Sequence, residues 1–110
     1  MKLPNREFAV IEPEKLTDYL LNLNHRRGGT KARLLVRFGY SATAWQRLEA
    51  DIRLYHVEAD IETVRETPYG TRYQIFAALQ TPTNESLFVR TVWQVDNGQT
   101  FPRLITLVPD

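Results

Sequence analysis

Cysteine is absent from the 110 residues, so disulfides and thiolate-held metals are excluded. That absence fits a reducing, cytoplasmic setting. Histidine is scarce: His25 and His56 alone leave little material for a histidine-based metal site, and no metal or cofactor is expected. No apolar run approaches the roughly 18 residues that span a bilayer. The opening MKLPNREFAVIEPEK has none of the apolar stretch of a signal peptide, so no membrane partner is expected. Excess charge is lacking too. Fourteen Lys and Arg face 13 Asp and Glu, for a formal net charge of +1, so any attraction to nucleic acid must come from a local patch. There is no repeat, low-complexity tract or linker, and the length suits one domain over residues 1–110. A Walker loop, a Ser/His/Asp order, a paired-carboxylate pattern and a metal-ligand cluster are all missing.

What is present is concentrated in one stretch. Asn24 to Arg37 reads NHRRGGTKARLLVR, with one histidine, two glycines, five cations (Arg26, Arg27, Lys31, Arg33, Arg37) and no acid. Elsewhere acids and bases are interspersed. A loop opening a helix exposes free N–H groups, and successive glycines (Gly28, Gly29) can form a backbone nest for an anion. Good turn and cap chemistry explains GGT equally well. His25 is the best general acid or base in the chain, because its free pKa lies near neutrality. A surface histidine in a loop is the ordinary alternative.

The flanking chain has helical spacing. Pro13 suits a first turn, and Leu16, Tyr19, Leu20 and Leu23 fall on one face of a short helix. Phe8, Val10 and Ile11 are expected to cover one end of the core. Thr30 is a natural N-cap for a second helix over about Lys31–Phe38, with Ala32, Leu35 and Val36 inward and Gly39 closing it. Ser41 is expected to cap a third helix to about Val57, striped by Trp45, Leu48, Ile52 and Tyr55. His56 is expected to be structural, complementing the dipole at that helix's end.

From Asp60 the pattern alternates. Strands are expected over 61–67, 71–79, 87–95 and 104–108, with turns at Thr67-Pro68-Tyr69-Gly70 and Asp96-Asn97-Gly98. Helices first and strands second predict an α+β fold: about three N-terminal helices, then a four-stranded antiparallel meander with the helices packed on one sheet face. The face carrying Tyr73, Ile75, Leu79, Leu87, Val89, Trp93 and Val95 is the apolar one. The other carries Arg72, Gln74, Phe76, Phe88, Arg90 and Gln94, cations and amides interleaved with aromatics. Such a face suits nucleic acid, although a solvated sheet face alternates in the same way.

The strings KLTDYLLNLNHRRGGTKARLLVRFGY, TPYGTRY and VRTVWQVDNGQTFPRLITLVP together resemble a family of small uncharacterised bacterial domains. That family carries an H-x-x-G-x-x-K-A-R segment, a Y-G turn, a V-R-T-V-W strand and a final P-R-L strand. It usually reads H-P at the loop, where this chain has Arg26 after His25. Its layout looks like the barnase, EndoU, colicin and RelE type of ribonuclease fold, common among toxins paired with a small antitoxin-like protein. The resemblance picks out His25, Gly29, Lys31, Arg33, Tyr69, Gly70, Arg90, Thr91, Trp93 and Arg103. It implies a metal-independent ribonuclease toxin with RNA and a cognate antitoxin-like protein as partners. His25 would be the base, Lys31, Arg90 and Arg103 would face the phosphoryl oxygens, and Tyr69 and Trp93 would be candidates to stack a base, although Trp93 stands on the apolar strand face and reads first as core. Arg72, from the open sheet face, joins the substrate-binding set. The alternative is a non-catalytic protein- or RNA-binding module.

Overall fold

A computed structural model describes residues 1–27 and 29–110; Gly28, half of the expected glycine nest, lies outside the described residues. The order of elements is helices first and strands second. α1 (Pro13–Lys15) runs into a π-helical turn (Leu16–Leu20), and α2 (Gly29–Arg37) follows. α3 (Trp45–Ile52) is preceded by a 3-10 turn (Ala42–Ala44) and extended by a π-helical turn (Arg53–Val57). The strands are β1 (Thr63–Thr67), β2 (Gly70–Gln80), β3 (Ser86–Asp96) and β4 (Arg103–Pro109), hydrogen-bonded in that order. Every pair is antiparallel. The fold is therefore α+β, a meander with helices packed on one face.

The strand alternation does what its period demands. Tyr73, Ile75 and Leu79 of β2 and Leu87, Val89, Thr91 and Trp93 of β3 are buried on the helix side. They meet Leu16, Leu20, Leu35, Leu48 and Ile52 from the helices, with Leu104 and Leu107 from β4. Each such aliphatic side chain, fully removed from water, contributes about 1.5–3 kcal/mol. Pro68 and Tyr69 form the two-residue turn between β1 and β2, with Thr67 opposite Gly70. Gly70 lies at φ 149°, and a Cβ there would fall 2.1 Å from the Val95 carbonyl oxygen, so only glycine fits.

The helix faces differ from expectation in several places. The first helix ends at Leu20, so its period stops before Leu23, which is exposed, and Leu21 is buried instead. α2 starts earlier than its spacing predicts, which places Thr30 inside the first turn rather than at the cap. Val36 faces outward, and Leu34 packs on the core. Gly39 does close α2: its N–H donates to Val36 while that of Tyr40 reaches back to Leu35, the Schellman pairing. Ser41 is extended but makes no side-chain cap bond.

At the N-terminus Leu3, Ala9 and Ile11 are buried and Phe8 is exposed. Val10 forms a parallel bridge to Arg103, covering the start of the β4 edge. Between β3 and β4 the chain turns at Asp96 and then runs irregularly to Arg103, so Gln94 pairs with Arg103 rather than forming a two-residue hairpin. Among the described residues no helix is long and apolar enough to cross a membrane.

Candidate functional site

Tyr19 occupies a position in the first helix's leucine stripe, but its ring lies at the rim of the core and its hydroxyl reaches the β4 edge. There it sits 3.2 Å from the Thr106 hydroxyl. A β-bulge in the β3–β4 ladder shifts the register between Val92 and Trp93, and Thr106 then shares the open sheet face with Val92. Lys31, projecting from the first turn of α2, closes the triangle. Its Nζ donates to the Tyr19 hydroxyl at 2.9 Å and to the Thr106 hydroxyl at 3.1 Å. His25 packs edge-on against the Tyr19 ring with centroids 4.9 Å apart. Its Nδ1 accepts the Arg27 backbone N–H at 3.0 Å, which sets the neutral ring's proton on Nε2. Lys15 lies 5.7 Å from the Tyr19 ring centre. Burial pushes the Tyr19 phenol up, but hydrogen bonds from Lys31 and Thr106 and the charges of Lys31 and Lys15 outweigh it. The phenol is held below the ordinary tyrosine value.

Three recesses meet around this triangle. One, of about 430 Å³, lies between α2 and the end of β4, lined by Lys31, Arg33, Leu34, Arg37, Val108 and Pro109 among others. A second, about 420 Å³, is lined by Lys15, Tyr19, His25, Arg27, Ile105 and Thr106. The third, about 370 Å³, opens on the bare sheet face between Arg65, Arg72, Gln74, Val92 and Thr106. Thr106 is common to the last two, and Lys31 ties it to the first. Half of the chain's 14 lysines and arginines line these recesses, and none of its 13 acids does.

Six of the other seven cations are arranged differently: Lys2, Arg6, Arg47, Arg53, Arg90 and Arg103 each hold a carboxylate, and Arg26 is exposed in the loop before α2. The recess cations hold none among the described residues. A chain of net charge +1 therefore presents a locally unneutralised basic surface, as anion binding requires.

A family model described as a domain of unknown function (DUF6883) matches residues 2–110. The chain belongs to the DUF6883 family. No curated protein matches it. Among solved structures, a chain of the contact-dependent growth inhibition toxin–immunity protein complex from Klebsiella pneumoniae 342 superposes with a TM-score of 0.65. Sequence identity is 14%, and the superposition covers 92% of this chain and 99% of that one. At that identity the likeness shows a shared fold.

Within this DUF6883 domain, the residues singled out from sequence are divided. His25 and Lys31 come together at Tyr19. Arg33 is exposed on α2, 3.4 Å from the Thr30 hydroxyl. Arg90 and Arg103 lie on the open sheet face and touch neither Lys31 nor His25. Arg90 is bound by both oxygens of Glu62 at 2.9 and 3.1 Å and by Asp110, with its guanidinium 4.6 Å over Phe76. Arg103 is bound by both oxygens of Asp96 at 2.6 and 3.1 Å. These carboxylates push both guanidinium groups further up from their ordinary values. Arg72 lies on the open face, and Tyr69 is exposed at its turn.

Three expectations need correction. Trp93 and Thr91 are fully buried on the helix-facing side, so neither can meet an RNA base or phosphate. The indole N–H of Trp93 donates to the Thr91 hydroxyl at 2.9 Å, and that hydroxyl bonds His56. Gly29 is buried, and its N–H donates to the His25 carbonyl instead of standing free in a nest. A Cβ on it would come 3.0 Å from the Leu23 carbonyl oxygen, a packing reason for glycine.

Sequence reasoning missed Tyr19, Thr106 and Arg65 as members of this surface. The available signal was a lone tyrosine among leucines, a residue that seldom buries its hydroxyl without a partner. Among the described residues no three His, Cys, Asp or Glu side chains cluster as a metal site would require.

Proposed function

We propose that this protein is a ribonuclease toxin of a toxin–immunity type pair, cleaving RNA by phosphoryl transfer with its own side chains. The observation that carries the reading is the set of unneutralised cations around the Lys31–Tyr19–Thr106 triangle, with His25 beside it. The fold it shares with a chain of a growth-inhibition toxin–immunity complex supports it, as does the layout resemblance to barnase-like and RelE-like ribonucleases.

In this reading the ribose 2′-oxygen attacks the adjacent phosphorus while the bond from phosphorus to the 5′-oxygen breaks. His25 takes the proton from the 2′-hydroxyl on Nδ1, its one basic nitrogen, giving up the Arg27 N–H bond as it does, and the Tyr19 phenol gives one to the departing 5′-oxygen. Lys31 stabilises the charge growing on the phosphoryl oxygens and the phenolate left on Tyr19, a preorganised electrostatic contribution. Arg90 and Arg103, whose guanidinium groups are filled by carboxylates, brace the sheet. RNA as substrate places the action in a cytoplasm, and a neutralising partner for such a basic surface would itself be acidic.

A second reading, a non-catalytic protein-binding module, draws on the exposed Phe76–Phe88 stack, with ring centroids 5.2 Å apart. One experiment separates the two. Purified protein incubated with total RNA in EDTA should cleave it, and Lys31→Met should lower the rate by roughly 10²–10³-fold. Expression should arrest growth, with relief by the same substitution. Intact RNA together with unimpeded growth refutes the ribonuclease reading.

A further inference from the structure

Arg65 on β1 and Arg72 on β2 are direct cross-strand partners, so their side chains leave the same sheet face side by side. Like charges placed opposite each other destabilise an antiparallel pair. No carboxylate pairs with either among the described residues, although acids serve the other sheet arginines. Folding alone gives no reason for this placement.

Arg72 is also held in position. Asp96, gripped by Arg103, accepts a hydrogen bond from the Gln94 side-chain amide. Gln94, only 2% exposed, turns its carbonyl oxygen to Arg72 Nε at 2.8 Å. A buried amide thus fixes the guanidinium through Nε and leaves its terminal N–H groups to face the recess. The recess floor is Val92 and Ile105, with Gln74 at the side. Arginine forks fit phosphate oxygens, and an apolar floor beside an amide suits a nucleobase.

From this arrangement we infer that Arg65 and Arg72 form a second phosphate subsite, preorganised by the Arg103–Asp96–Gln94 chain, for single-stranded RNA crossing the open sheet. It rests on the RNA reading above but concerns binding, not the reacting bond. Thr106 lines this recess and also bonds Lys31, so the subsite is continuous with the proposed reaction centre. β2 and β4 are two strand spacings apart, roughly 10 Å, a span that an extended oligonucleotide covers in a few residues. An extended single strand can follow an open, shallow sheet face, whereas a duplex would have to be read through its grooves.

The test uses the full chain and a fluorescein-labelled 2′-O-methyl oligouridylate, which lacks the attacking hydroxyl and stays intact. Binding is measured by anisotropy across a salt series, with RNA cleavage assayed separately. The paired substitution Arg65→Ala and Arg72→Ala should weaken binding roughly tenfold or more. It should also reduce the slope of log affinity against log salt by about 1.4, two phosphate contacts at about 0.7 each. Gln94→Leu should weaken binding and leave the slope unchanged, because it displaces a charge without removing one. Arg6→Ala, a cation paired with Glu58 away from these recesses, should change neither.

Unchanged affinity and slope in the double variant overturn the subsite, and so does a wild type that does not bind. An equal loss in Arg6→Ala overturns it in favour of bulk charge. Displacement by poly-glutamate as readily as by RNA overturns the assignment to nucleic acid. Salt-dependent binding without cleavage refutes the ribonuclease reading and leaves the subsite standing.

Discussion

His56 gives the sharpest test of the core, because its surroundings admit one protonation state. The ring is fully buried at the end of the third helix, against β2 and β3. The Ala77 carbonyl can only accept, so the ring's proton sits on Nε2 and donates to it at 3.0 Å. Nδ1 then accepts from the Thr91 hydroxyl at 2.8 Å, and that hydroxyl in turn accepts the Trp93 indole N–H. A second proton on Nδ1 would turn Thr91 into an acceptor twice over and strand its O–H in the core, besides burying a charge. Burial pushes the imidazole down to about 4, against the upward pull of the Ala77 hydrogen bond.

Unfolded, the same histidine titrates near 6.5, so between pH 6.5 and about 4 the unfolded chain binds the extra proton. Stability from this residue is therefore complete above pH 6.5, falls as pH drops through that window, and levels off below about 4. Spread over about 2.5 pH units at 1.36 kcal/mol each, the full loss is about 3 kcal/mol. At pH 5 it is about 2 kcal/mol, a shift of roughly 1 M in urea midpoint for a slope near 2 kcal/mol/M. Urea unfolding followed by the fluorescence of buried Trp93, at pH 7.5 and 5, measures it. His56→Gln should be less stable than wild type at pH 7.5, and most of that gap should close by pH 5, since all other titrations are shared. Parallel pH dependence of the two proteins refutes the buried neutral histidine.

Other outcomes follow from single contacts. Gly70→Ala should cost about 3 kcal/mol, read as a Tm drop on the order of 10 °C, because its Cβ would collide with the Val95 carbonyl. Tyr40→Phe removes the 2.7 Å hydrogen bond to buried Asp51 and should cost about 1–2 kcal/mol in denaturant unfolding, with Arg47 still holding that carboxylate. In an alkaline titration followed by ultraviolet absorbance, the Tyr40 phenol should stay protonated past the other tyrosines, since burial and the Asp51 carboxylate both push it up. The Tyr19 phenol should ionise early in the same titration, and Lys31→Met should move it back up by removing the hydrogen bond and charge that hold it down.

The sheet was legible in the sequence because alternation has a period of 2, and one buried face commits the whole strand. The helix faces were less legible. Leu23 and Val36 stand at acceptable helical spacings, but the first helix stops at Leu20, and α2 buries Ala32 and Leu35 with Leu34 packed beside them, which leaves Val36 outward. His56 was recognised as structural for the wrong reason: it sits at a helix end, yet that end presses into the sheet at Thr91, so burial governs it and the dipole does not. Lys31 and His25 were readable as chemistry-bearing types because no acid lies near them in sequence. Arg90 was not readable as a neutralised cation, since Glu62 is 28 residues away and the two meet only when the sheet forms. Tyr19 was hidden by its neighbours, a position in a leucine stripe whose one polar atom finds its partners on α2 and β4.

The balance of 14 cations against 13 acids therefore says little about this surface, because the pairing is selective. Acids far away in sequence or across a turn are placed where arginines brace the structure: Glu62 and Asp110 on Arg90, Asp96 on Arg103. Exposed pairs of this kind add little stability individually. Their larger effect is on location, since each neutralised arginine confines the unneutralised field to the β4 edge and the adjoining sheet face. Asp96 shows the link most directly. It neutralises Arg103 and, through Gln94, aims Arg72 at the recess. Asp96→Asn should accordingly release Arg103 and loosen Arg72 together, raising net positive charge while weakening oligonucleotide binding. A gain in binding instead would show that total charge governs the surface and that positioning does not.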